Sequence, residues 1–117
     1  MSLADEYLNS FKMYEMTNEL QRDTGLTRAI WVSVKMASHS PRIKIRKDTS
    51  VRFDYDDADM FSMTISDNPS FPDGHNLKGK EVTLFTKFVL LNKQALLDLW
   101  EAKISYRDFQ KLMKKVS

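Results

Sequence analysis

The run KEVTLFTKFVLLNKQALLDLWEAK, residues 80–103, decides how this chain is read. At 100° per residue, Phe85, Phe88, Val89, Leu96, Leu99 and Trp100 fall on the same side as Asn92, the stripe of a helix that packs on a core. Leu90 and Leu97, seven residues apart, point the other way, among Thr83, Thr86, Lys93 and Glu101. Leucines on the back of a helix need a cover, either the chain's own N-terminal helix or a partner. In a homodimer, four buried leucines would contribute roughly 6–12 kcal/mol. Association itself costs an estimated ~4–15 kcal/mol, so they could not hold a dimer alone. Packing within the chain against Leu8, Met13 and Leu20 avoids that cost and is the expected arrangement. Asn92, central in the apolar stripe, must find hydrogen-bond partners, and the expectation is that it ties the helix to strand or loop backbone.

Working outward, Ser2 to about Asp23 reads as a helix. Ser2 can cap it, Asp5 and Glu6 suit its positive end, and Gly25 can stop it. Four period-two runs follow, Thr27–Lys35, Arg42–Lys47, Val51–Tyr55 and Met60–Ser66, joined by short polar turns. Short connections between such runs predict an antiparallel meander. Asn68-Pro69 and Pro72-Asp73-Gly74 mark a loop before the long helix. Ser105 with Asp108 makes a capping box for a short last helix. The expected fold class is α+β: an N-terminal helix, a four-stranded antiparallel meander, a long helix packed on the sheet and a short C-terminal helix. The 117 residues are expected to form one domain.

Composition narrows the chemistry. No Cys is present, which excludes a disulfide framework, thiolate catalysis and Cys-based zinc sites and suits a reducing cytoplasm. The first residues lack a basic start followed by an apolar run, and no apolar stretch reaches the ~18–20 residues of a membrane span, so neither a secretory signal nor a membrane partner is expected. The net charge of +2 hides alternating blocks: −3 over residues 1–25, +5 over 26–55, −4 over 56–79 and +4 over 80–117. Such alternation points to internal complementarity rather than one nucleic-acid face.

Two surfaces are candidates for function. The first is the Leu90/Leu97 pair as a protein contact. The second is the sheet face opposite the core, where Trp31 would sit among Arg42, Lys44, Arg46 and Arg52, offering charges to a nucleic-acid backbone and a ring to a base. The competing structural reading has Trp31 covering arginine stems, or itself covered. Asp54, Asp56, Asp57 and Asp59 crowd one turn, but an EF-hand loop would need a glycine at Asp59 and a Glu at Ile65. His39 and His75 are far apart without ligand spacing, and Ser38, His39 and Ser40 are too close in sequence to form a nucleophile pair. No catalytic residue, metal ligand or cofactor is expected.

The run Ser40-Pro41-Arg42-Ile43-Lys44-Ile45, with Asn92-Lys93, Leu96, Trp100 and Ile104-Ser105 downstream, resembles a group of short phage and bacterial proteins of unknown function. The resemblance covers about residues 27–110. It implies a phage or prophage accessory protein and carries over no functional residues. The expected function is that of a small cytoplasmic, non-enzymatic protein acting on a host or self protein by contact, the alternative being a nucleic-acid-binding module.

Overall fold

Ile43, Ile45, Phe61 and Met63 set the register of the sheet. Across the antiparallel pair of β3 (Arg42–Arg46) and β4 (Met60–Thr64), Ile43 stands opposite Met63 and Ile45 opposite Phe61, so the large apolar side chains share one face. The structure, a computed structural model, describes residues 17–19, 21–34, 40–49 and 57–116. Among them, β1 (Thr17–Glu19), β2 (Ile30–Val32), β3 and β4 are hydrogen-bonded in chain order, all antiparallel. The helices are α1 (Gln21–Thr24), α2 (Gly79–Leu91), α3 (Lys93–Trp100) and α4 (Tyr106–Leu112), with a 3₁₀ turn at Asp57–Asp59.

The α+β class and the antiparallel sheet agree with the sequence reading, but the expected set of four strands, Thr27–Lys35, Arg42–Lys47, Val51–Tyr55 and Met60–Ser66, is not confirmed: Thr17–Glu19 was not among them. β3 and β4 pair directly, matching apolar side chains across the two strands, and the expected Val51–Tyr55 strand lies outside the described residues. The N-terminal helix is corrected too. Residues 17–19 are strand, helix is confined to Gln21–Thr24 among the described residues, and residues 1–16 lie outside them.

The apolar face of the sheet is roofed as expected. Ile30, Val32, Ile43, Ile45, Phe61, Met63 and Ile65 form one buried cluster with Phe85, Phe88 and Val89 of α2, Leu96 and Leu99 of α3, Phe109 of α4 and Val116. Each large side chain contributes about 1.5–3 kcal/mol on burial.

The roof is two helices rather than one. Asn92 ends α2 and precedes α3, with φ −106° and ψ 12°. Hydrogen bonds continue across it, from Asn92 N–H to Phe88 O at 3.0 Å and from Leu96 N–H to Asn92 O at 2.9 Å. The side chain explains the break. Nδ2 donates to Phe88 O (3.1 Å) and Lys114 O (3.0 Å), and Oδ1 accepts from Lys114 N–H (2.6 Å). The helix yields its regularity at Asn92 to hold the C-terminal segment, as the buried amide required.

At its other end α3 closes in a Schellman turn: Ala102 N–H bonds Leu99 O (3.0 Å) and Lys103 N–H bonds Asp98 O (2.8 Å). Ala102 is left-handed there, at φ 59°, where its Cβ is disfavoured. Ala102→Gly is expected to raise stability by about 0.5–1 kcal/mol, read as a higher urea midpoint at unchanged m. The last helix is as expected, with Asp108 N–H bonded to Ser105 Oγ at 3.1 Å and Ser105 N–H to Asp108 Oδ2 at 3.4 Å.

Candidate functional site

The polar network that joins the sheet to α2 starts at Arg28, which is buried at 7% exposure just before β2. Its Nε lies 3.1 Å from Glu81 Oε2 and its Nη2 lies 3.2 Å from Oε1, a two-pronged pair. Nη1 donates to Arg46 O, Lys47 O and Asn76 Oδ1. Glu81 also accepts from Thr27 Oγ1 at 2.6 Å and from Lys78 N–H at 3.2 Å, which satisfies one free amide at the start of α2. Burial alone would raise the Glu81 carboxyl. The hydrogen bonds from Thr27, Arg28 and Lys78, with the Arg28 charge, outweigh it and hold it near 2. With no reacting group placed against it, this network locks the helix onto the strands.

The face of the sheet proposed for nucleic acid does not present its ring. Trp31 is 2% exposed and Arg46 fully buried, and Trp31 packs with Ala29 and Met60. The Arg46 guanidinium lies 5.8 Å from the Trp31 ring, and its Nε donates to Asp48 Oδ1 at 3.2 Å. Trp31 therefore follows the structural reading: its ring is engaged with an arginine and closed to a base. Arg42 and Lys44 are half-buried, and Arg52 lies outside the described residues. Lys44 lines a cleft of about 430 Å³ with Lys47, Ser62, His75 and Asn76. His75 uses Nδ1 to accept from Leu77 N–H and stacks 4.3 Å from Phe71. His39 and the Asp54/Asp56 part of the acidic turn lie outside the described residues, among which no group of three metal-ligating side chains converges.

Leu90 and Leu97 part company. Leu90 is 47% exposed, whereas Leu97 is half-buried against the main core. Two leucines that the stripe did not single out join Leu90 at the surface: Leu91 at 44% and Leu112 at 53%. Asn92's grip on Lys114 brings the ends of α2 and α4 together, and all three leucines lie within two residues of that junction. In sequence the segments 87–91 and 107–115 that carry them hold Lys87, Arg107, Lys111, Lys114 and Lys115, with Asp108 the one carboxylate.

Sequence reasoning missed Glu19. It is 3% exposed, Gln110 hydrogen-bonds its carboxyl, and Oε1 has no partner. Burial pushes this carboxyl up to about 7, Gln110 works to lower it, and the Asp23 charge adds to the rise. The stability gained by keeping it protonated is complete below 4.5 and is lost as the pH rises through 7. In sequence Glu19 fell within the expected helix Ser2 to about Asp23, whereas the structure places it in β1 and buries it.

Comparison with known protein families, curated proteins and solved structures finds no match to this chain. The resemblance to short phage and bacterial proteins therefore rests on its quoted motifs alone. Among the described residues no helix is long and apolar enough to cross a membrane.

Proposed function

We propose that this chain is a small non-catalytic protein that acts by contact with another protein, through the apolar patch of Leu90, Leu91 and Leu112 at the α2/α4 junction. The observation that carries this reading is the exposure of three leucines on segments rich in cations. Covering the exposed half of each supplies about 1 kcal/mol, below the ~4–15 kcal/mol that association costs. The leucines thus serve as an anchor, and the basic rim selects a partner whose own rim is acidic. On this reading the protein works in the cytoplasm, where a chain without Cys has no disulfide to lose. The phage or prophage origin and the host target belong to the same proposal, supported by the strand and helix motifs.

Affinity capture from lysate, with and without nuclease, tests it. Leu90→Ser/Leu91→Ser/Leu112→Ser is expected to lose the captured protein while the denaturation midpoint moves by no more than about 1.5 kcal/mol, since these side chains are already half in water. Leu97→Ser, half-buried against the core, is expected to cost about 1–2 kcal/mol. Unchanged capture by the triple variant overturns the proposal. Capture that disappears with nuclease replaces it by nucleic-acid binding.

A further inference from the structure

Beside β1 a cleft of about 470 Å³ opens between α1, α4 and the C-terminal segment, lined by Glu19, Arg22, Asp23, Gln110, Met113 and Lys115. Its volume suits a small organic molecule. Glu19 forms part of its wall, and its Oε1 is a buried acceptor that no donor meets among the described residues. An unmet carboxylate oxygen is costly to bury, and a donor from a ligand would satisfy it. Asp23 lines the same cleft, and its charge adds to the rise of the Glu19 carboxyl. Arg22 pairs with Asp23 at 3.6 Å while remaining 80% exposed, and Lys115 supplies a second cation.

We propose that this cleft binds a primary ammonium group, carried by an alkylamine or a free amino acid, with the Glu19 carboxylate as its acceptor. An ammonium has three donors and no acceptor, which suits the unmet Oε1 and the Asp23 carboxylate together. A carboxylate on the same ligand would meet Arg22 or Lys115, so a free amino acid is satisfied at both ends and an alkylamine at one. The reading is independent of the leucine patch, which lies on other side chains.

The ionisable groups that face Glu19 are Asp23 and Arg22 from α1 and Lys115 from the C-terminal segment, with Gln110 the neutral partner from α4. Glu19 titrates near 7 and the ammonium stays charged throughout, so binding is expected to tighten roughly tenfold between pH 6 and pH 8, following the ionised fraction of Glu19.

The test is amide and Gln110 side-chain shift mapping of the full chain, titrated with n-butylamine, norvaline and butyrate. Saturable shifts at Glu19, Asp23 and Gln110 are expected with the first two and none with butyrate. Glu19→Gln is expected to weaken the amine at least tenfold and to abolish the pH dependence. As a neutral near-isostere it removes a buried charge, so its fold is retained, and the pH series on the unaltered chain tests the same point without any variant. Absence of shifts at millimolar amine, binding of butyrate in place of amine, or amine binding that is flat between pH 6 and 8 overturns the proposal.

Discussion

Arg28→Met is expected to destabilise the protein by about 3–5 kcal/mol, the largest effect of any single substitution considered. Methionine fills much of the same volume, so the loss is electrostatic rather than a cavity. The substitution leaves the half-buried Glu81 carboxylate beside Thr27 without its cation, and takes the Arg28 donor from Arg46 O and Asn76 Oδ1, while Lys47 O keeps Asn76 Nδ2. An acid titration separates this account from simple misfolding. A carboxylate held near 2, against an ordinary 4.5, contributes stability at every pH above 4.5 and surrenders it as the pH falls from 4.5 toward 2. The amount is about 3 kcal/mol. Urea midpoints of the parent protein should fall across that window. Those of Arg28→Met should be lower at neutral pH and fall less, because its Glu81 no longer has a cation to give up. A parent curve that is flat below 4.5 would remove Glu81 from the account, and an Arg28→Met loss under 1 kcal/mol would remove Arg28.

Arg28 also shows where sequence reading stops. The period-two runs of Ile30/Val32, Ile43/Ile45 and Phe61/Met63 were legible because burial on one face imposes alternation. The capping box Ser105/Asp108 was legible because its parts lie three residues apart. The roof residues Phe85, Phe88, Val89, Leu96 and Leu99 were legible for the same reason of period. Arg28 and Glu81 lie 53 residues apart, and nothing local distinguishes a buried cation from a solvated one. Trp31 was ambiguous from the start, since an aromatic among arginines suits both a base platform and a packed layer, and only the burial of Arg46 beside it separates the two. The helical count grouped Leu90 with Leu97, but burial separates them, because only Leu97 packs against the main core. Sequence showed that Asn92 needed partners, but not that meeting them would interrupt the helix.

That interruption leads to the second large effect. Asn92→Ala is expected to cost about 2–4 kcal/mol, because it removes both side-chain hydrogen bonds to Lys114 and leaves that backbone N–H and C=O unmet beside the core. Gly25 grips the same segment from the other side. Val116 N–H donates to Thr24 O at 2.8 Å, and Gly25, at φ +80°, passes so close that a Cβ there would stand 1.7 Å from Val116 O. Both atoms of that clash are fixed by backbone, so Gly25→Ala must displace residues 114–116 as well as strain its own φ, at a cost of about 2–4 kcal/mol. Each substitution releases one segment, whose anchor in the core is Val116. Once either grip has gone, the other has less to hold. The double variant is therefore expected to fall short of the sum of the two single losses by at least 1 kcal/mol, a coupling that independent sites do not show. Equilibrium urea unfolding of the four proteins measures it, and strict additivity would mean that Asn92 and Gly25 stabilise separate parts of the fold.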